Sequence, residues 1–334
     1  MKKIFSVILT LLFIQQLPAQ EAVLLDDLNI HSFNGDFSHY DQGTSIFCAQ
    51  ISELAYWDQT KLVSFFKKLN SKYSNDRFQF KLINDRIGAH HNQALIVGNR
   101  KFIIVAFRGT EPTVFKDWFS DVKYWHYENT DKTDPMIADI PPGHGGFRTA
   151  TRRLIMEKDL IGAIKTMIHE YASGMDETEF PVYLTGHSLG AAISQMFIEP
   201  LVKGTLKFKG AYHFAPPLAV GCSVNAEMKN KYGSIVYDIV NYKDYVPRAG
   251  RNDVAHYGQF FRICNNGLIF KEKETYVKFS VKEYLSEFKL HSLAAHVKAI
   301  RDDRNSYEAI SQRSSGSAVP CMGPSIQPQT ICAD

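Results

Sequence analysis

The sequence is short of charge imbalance, of long apolar runs and of metal- or nucleotide-binding signatures. Its 334 residues carry 38 Lys and Arg against 35 Asp and Glu, a formal net charge of +3. That near-balance gives no electrostatic reason to expect nucleic acid as a partner. No apolar stretch approaches the ~20 residues that a membrane-crossing helix requires. There is no His-Glu-x-x-His, no Cys-x-x-Cys and no phosphate-cradling glycine loop. Adjacent His90 and His91 would point apart on a helix or a strand, so a metal site is not expected and no cofactor is called for. Internal repeats and long linkers are missing too. What remains is ample material for a sizeable core, with 45% hydrophobic and 13% aromatic residues.

The N-terminus departs from the rest. Lys2 and Lys3 precede an apolar run from Ile4 to Ile14, and Pro18-Ala19-Gln20 follows. A positive start, a short apolar stretch and a small residue at the cut predict a secretory signal peptide over residues 1–19. The fit at Leu17, three positions back from the cut, is looser than alanine would be. The expected location is therefore extracellular or periplasmic, with no transmembrane segment in the mature chain. Export permits disulfides. The five cysteines, Cys48, Cys222, Cys264, Cys321 and Cys332, leave at least one unpaired. Cys321 and Cys332 share a tail rich in Ser, Pro and Gly and are expected to close a loop with each other. Cys48 lies in a helical pattern and reads equally well as a buried thiol.

Apolar spacing predicts a helix over Thr44 to Trp57, strands at Ala94–Val97 and Phe102–Phe107 joined by a Gly98-Asn99 turn, and a long helix from Phe147 to Tyr171. Phe180–Thr185 reads as a strand, Ser188–Val202 as a helix, and Ala211–Ala215 and Ile235–Tyr242 as further strands. Apolar strands alternating with long helices predict an α/β fold, a mostly parallel sheet with helices on both faces. No composition shift divides it, so residues 20–313 are expected to form one domain and residues 314–334 an irregular, cysteine-containing tail. His169-Glu170 and the lysine-rich runs near 203–209 and 271–282 read as charged surface.

One segment carries chemistry. Gly186-His187-Ser188-Leu189-Gly190 fits Gly-x-Ser-x-Gly, with a strand before it and a helix after it. That is the setting of a nucleophile elbow, in which a strained turn presents the serine and small neighbours let helix and strand approach. A serine hydroxyl needs a base, and the base an orienting acid, in the chain order Ser, Asp or Glu, His. Asp244, just past the strand ending at Tyr242, is the favoured acid. Asp238 lies inside that strand and is expected to point away, and Asp253 in a polar loop is the competitor. Among His256, His291 and His296, His256 opens a strand-like run and reads as structural. His291 and His296 lie five positions apart, about 140° around a helix. His291, at a helix start, is favoured because its ring is freer to reach serine. The backbone N–H of Leu189, directly after the nucleophile, is the first oxyanion donor.

These residues sit within a set of ordered motifs that resembles the class 3, or fungal lipase-like, lipases. Phe107-Arg108-Gly109-Thr110 follows an apolar strand; Asp117-Trp118-Phe119-Ser120-Asp121, His144-Gly145-Gly146-Phe147 and Gly-His-Ser-Leu-Gly come after it. Asp244-Tyr245-Val246-Pro247 matches the family's Asp-x-Val-Pro. His291 and Ser292 match the start of His-Ser-x-x-x-Tyr, with His296 in place of the tyrosine. The likeness runs from about Thr44 to Ala299. It departs at Pro216-Pro217-Leu218-Ala219-Val220-Gly221, where the family has Pro-Arg-x-Gly, and at Cys222, where asparagine is usual.

The resemblance implies an α/β-hydrolase fold and a serine carboxylester hydrolase with Ser188, His291 and Asp244 as triad and Thr110 as second oxyanion donor. Triacylglycerol lipase, phospholipase A1 and feruloyl or aryl esterase all fall within the family; a non-catalytic lipid-binding relative is the rival of a different class. It also places a lid after Thr110. There Phe115, Trp118, Phe119 and Val122 follow helical spacing and share one apolar face, which would otherwise simply join the core. The implied partner is a lipid or ester substrate at a lipid–water interface.

Overall fold

Five consecutive apolar residues, Ile103–Phe107, form a strand buried at every position because both of its faces are covered. Ile103, Val105 and Phe107 enter one hydrophobic cluster and Ile104 and Ala106 the other, as the two-residue repeat of a strand demands. The computed structural model describes residue 25 and residues 28–87, 90–109, 127–128, 138–171, 175–241, 244–248, 253–264, 269–271 and 288–303. The strands are β1 (Gln79–Ile87), β2 (His90–Gly98), β3 (Ile103–Phe107), β4 (Tyr127–Glu128), β5 (Gly143–His144), β6 (Pro181–His187), β7 (Lys207–Phe214), β8 (Val220–Gly221), β9 (Val236–Asn241), β10 (Val254–Ala255), β11 (Gln259–Ile263) and β12 (Ile269–Lys271). The longer helices are α1 (Gln42–Leu54), α2 (Gln59–Lys72), α3 (Gly145–Met156), α4 (Leu160–Tyr171), α5 (Leu189–Lys203), α6 (Cys222–Tyr232) and α7 (Leu293–Asp302).

The main sheet has eight strands in the order β1-β2-β3-β6-β7-β9-β11-β12. Its centre, β3, β6, β7, β9 and β11, is parallel, and the outer neighbours are antiparallel. A small antiparallel sheet, β10-β8-β5-β4, stands apart. Residues of α3, α4 and α5 cover one face of the main sheet; α1, α2 and α7 cover the other. On the second face, tyrosines of three neighbouring strands hold the segment before α1. Tyr183 donates to the Gly35 carbonyl (2.8 Å), Tyr237 donates to the Phe37 carbonyl (3.0 Å), and the Tyr212 hydroxyl accepts the Asp41 N–H (2.8 Å).

Two local readings are corrected by the structure. The expected helix from Phe147 to Tyr171 is two helices, broken where Asp159 takes φ +48° and its carboxylate accepts the Gly162 N–H (3.2 Å). The apolar spacing runs on across the break, but an aspartate offers the backbone a competing turn that periodicity does not register. Strand β1 was not expected at all. Its apolar residues Phe80, Leu82 and Ile83 change phase midway, and its pairing with β2 is what makes it a strand. Cys48 is buried and free, and burial pushes its thiol pKa up. Cys222 and Cys264 are each disulfide-bonded. The expected Cys321–Cys332 pair, the signal peptide and the tail lie outside the described residues.

An ion pair fastens the edge strand to the layer beneath. Arg153 on α3 donates from Nε and Nη2 to the two carboxylate oxygens of buried Asp85, each at 2.7 Å. The Arg153 hydrogen bond is the main reason the Asp85 carboxyl titrates below its usual 3.8. Its stabilising contribution is therefore complete above the unfolded value and is lost as pH falls through the lower folded one. Asp85→Asn should cost about 1–3 kcal/mol at pH 7, read as a lower denaturation midpoint. The cost should shrink once the pH falls below that folded value.

Candidate active site

Ser188 sits between the end of β6 and the start of α5 with φ 56° and ψ −128°, a conformation few side-chain-bearing residues adopt. The flanking glycines explain how the turn is held. A Cβ on Gly186 would lie 2.6 Å from the Gly190 carbonyl carbon, and one on Gly190 would strike the Phe107 carbonyl of β3. Strand and helix thus approach closer than any larger residue allows. The Ser188 N–H is tied across the sheet to the Phe214 carbonyl at the end of β7 (2.9 Å). Leu189 is the first residue of α5, and its N–H has no backbone partner among the described residues. The first N–H groups of a helix have no intrahelical acceptor, a setting that suits an anion beside them.

The structure brings together the three residues expected from sequence. Ser188 Oγ is 2.8 Å from His291 Nε2, and His291 Nδ1 is 2.7 Å from Asp244 Oδ2. A carboxylate can only accept, so Nδ1 carries the proton and Nε2 presents its lone pair to the serine hydroxyl, which donates. Asp244 is itself oriented, because its Oδ1 accepts the Val246 N–H (3.0 Å). All three side chains are buried, Ser188 to 1% exposure. They lie beyond the carboxyl ends of parallel strands, where open α/β sheets place ligands.

The competitors are occupied elsewhere. Asp238 accepts from Gln195 Nε2 (3.0 Å) and pairs with His213 Nδ1 (3.0 Å), while His213 Nε2 meets Ser194 Oγ (2.9 Å). This second Ser–His–Asp chain is fully buried in the core behind α5. His256 Nε2 donates to the Pro247 carbonyl (3.0 Å), a structural role. Asp253 lies by the small sheet, its carbonyl accepting the Cys222 N–H (2.9 Å). His296 turns into the core, its Nδ1 donating to the Ser292 carbonyl (2.9 Å). Thr110 and the expected lid residues Phe115, Trp118, Phe119 and Val122 lie outside the described residues.

Sequence reasoning missed the residues around the base. His187 Nε2 lies 2.6 Å from the His291 carbonyl and Nδ1 lies 2.8 Å from the Tyr56 hydroxyl. Asn241 at the end of β9 donates to the preceding carbonyl, that of Leu290. The central His of Gly-His-Ser-Leu-Gly was the one visible signal; its partners come from distant segments. No group of three His, Cys, Asp or Glu is placed to hold a metal ion among the described residues.

The family model for lipase (class 3) matches residues 104–253, a span that holds the elbow and the Asp244 loop. Over that span the chain is similar to the class 3 lipases. A curated relative, triacylglycerol lipase OBL1 of Arabidopsis thaliana, is 24% identical over 256 residues, covering 67% of this chain and 49% of that protein. The chain thus spans about half the length of the curated relative it matches. Among solved structures, the native Rhizomucor miehei lipase–propeptide complex superposes with a TM-score of 0.51 at 18% identity, over 67% of this chain and 69% of that one. A fungal lipase structure gives 0.52 at 17% identity, over 73% and 84%. At such identities the likeness establishes the fold, an α/β-hydrolase fold with a mostly parallel sheet.

Burial pushes the His296 imidazole down to about 4 from its ordinary 6.5, and burial with neighbouring His291 pushes His187 well below that value. The unfolded chain therefore binds protons that the folded chain refuses, and stability falls as pH drops from about 6.5 towards 4. His296→Asn, which keeps a donor near the Ser292 carbonyl, should remove roughly 3 kcal/mol of that pH-dependent loss. Urea denaturation of both proteins between pH 7 and pH 4 reads the difference.

Proposed function

We propose that this protein is a class 3 lipase, an exported serine carboxylester hydrolase acting on triacylglycerols. The observation that carries the reading is the unbroken hydrogen-bonded chain from Ser188 through His291 to Asp244 at a strained strand-to-helix turn. Ser188 Oγ attacks the ester carbonyl carbon while its proton passes to His291 Nε2. Asp244 stabilises the imidazolium that forms. The oxyanion is met by the N–H of Leu189 and, from the family resemblance, by Thr110. Collapse of the tetrahedral species breaks the acyl–oxygen bond, and the alcohol leaves with the proton from His291. Water then repeats the steps, with His291 as base, and frees the fatty acid.

Triacylglycerol as substrate is supported by the name of the Arabidopsis relative. Export is supported by the signal-like N-terminus and by the disulfides at Cys222 and Cys264. No described helix is long and apolar enough to cross a membrane. Ser188 is 1% exposed, and the family resemblance implies a lid after Thr110 as its cover. The shared apolar face of Phe115, Trp118, Phe119 and Val122 suits that cover, since a lipid surface would favour the open state in which such a face is exposed.

Ser188→Ala, Asp244→Asn and His291→Ala should each lower turnover by about 10⁴-fold or more, with a double variant little worse than the worst single one. Kinetics with a soluble ester and labelling by a fluorophosphonate probe check this. Wild-type protein that neither labels nor hydrolyses would favour a lipid-binding role. A panel of long-chain triglyceride, phospholipid and feruloyl esters separates the three family activities, and triglyceride is expected to lead.

Long-chain ester hydrolysis should also rise more than proportionally once substrate exceeds its solubility. Trp118→Ser should blunt that rise more than it slows cleavage of a short soluble ester. Smooth saturation through the solubility limit, with equal losses on both substrates, would leave Trp118 as core or pocket wall.

A further inference from the structure

The base is held at its backbone as well as at its ring. His291 opens the turn before α7, on a segment that approaches the elbow from the far end of the sequence. Its carbonyl is an acceptor only, so the nitrogen 2.6 Å away, His187 Nε2, carries a proton and donates. His187 Nδ1 is then an acceptor, and the Tyr56 hydroxyl donates to it (2.8 Å). Tyr56 is held in turn. The Arg108 guanidinium lies over its ring, 5.7 Å from the centroid. Gln93 Nε2 donates to the carbonyls on either side of it, Ala55 (2.7 Å) and Trp57 (3.2 Å).

His187 is one residue before the proposed nucleophile and its ring lies 4.8 Å from that of His291. A rigid link therefore joins the residue adjoining Ser188 to the backbone of the base. We propose that His187, its tautomer set by Tyr56, is a positioning residue that anchors the His291 carbonyl and thereby aims the His291 imidazole at Ser188. This rests on the triad reading above. The link is needed because the His291 ring turns about bonds that start at its own backbone. A shift of that backbone moves Nε2 off the line to the serine oxygen, and misplacements near 1 Å cost about 100-fold in rate. Burial also keeps His187 uncharged, so no second cation opposes the imidazolium that forms on His291.

The test compares His187→Phe, which keeps bulk but removes both polar ends, with His187→Gln, whose amide N–H can reach the His291 carbonyl. Two readouts are followed. One is kcat and KM on a short soluble p-nitrophenyl ester; the other is the downfield proton resonance of the His291 Nδ1–H bonded to Asp244. His187→Phe is expected to lower kcat about 10- to 100-fold with KM within about two-fold, and to broaden or abolish the resonance. His187→Gln should recover most of both. Tyr56→Phe should give a smaller loss, and none beyond that of His187→Phe when combined with it. Unchanged kcat and a sharp resonance in His187→Phe would overturn the proposal. Equal losses in Phe and Gln variants, tracking a common fall in melting temperature, would also overturn it by showing packing alone. If the wild-type protein shows the resonance yet hydrolyses no ester, the catalytic reading fails while the positioning of His291 is still decided by the spectrum.

Discussion

The geometry of the site depends on one constraint, the close approach of α5 to β3 and β6. It is possible only because Gly190 and Gly186 have no side chain at the contact. That approach forces the chain to turn at Ser188 with positive φ and puts the serine oxygen above the strand ends rather than in the sheet. It also leaves the first N–H groups of α5 beside the hydroxyl. Nucleophile presentation and oxyanion stabilisation, if the proposed chemistry holds, therefore follow from the same turn. The energy that keeps a strained residue in place comes from elsewhere: from the parallel strands, buried on both faces, and from the helix packed behind them.

A second chain of the same residue types shows what geometry alone does not confer. Ser194, His213 and Asp238 are joined at distances like those of Ser188, His291 and Asp244. Yet Ser194 lies inside a regular helix turn and all three side chains are sealed in the core. The difference lies in position within the fold rather than in chemistry. At the carboxyl ends of the strands such a chain can meet a substrate; behind α5 it satisfies buried polar atoms and ties β7, β9 and α5 together.

The elements of the fold were read from the sequence to different depths. Fully apolar runs such as Ile103–Phe107 announce buried parallel strands, and the glycine spacing around Ser188 announces a strand-to-helix turn. Strand β1 escaped because its apolar phase changes midway, and the break at Asp159 escaped because periodicity continues through it. Ser188, Asp244 and His291 were nameable in advance because their chain order and local settings are distinctive. Tyr56, Gln93 and Asn241 were not. Each is an ordinary residue in its own segment and gains meaning only from a neighbour far along the chain.

The sequence by itself determined the class of fold, the strained serine and the short set of acids and bases able to serve it. These are local properties, written in periodicity, glycine spacing and chain order. The tertiary structure alone decided that His291 rather than His296 faces Ser188, that Asp238 belongs to a buried pair with His213, and that His187 bridges Tyr56 to the base. Two of those choices turn on distances between residues more than a hundred positions apart, such as Ser188 and His291, and the third on a pair in neighbouring strands. The sheet order β6-β7-β9 and the turn before α7, which carries His291 to Ser188 at the end of β6, set them.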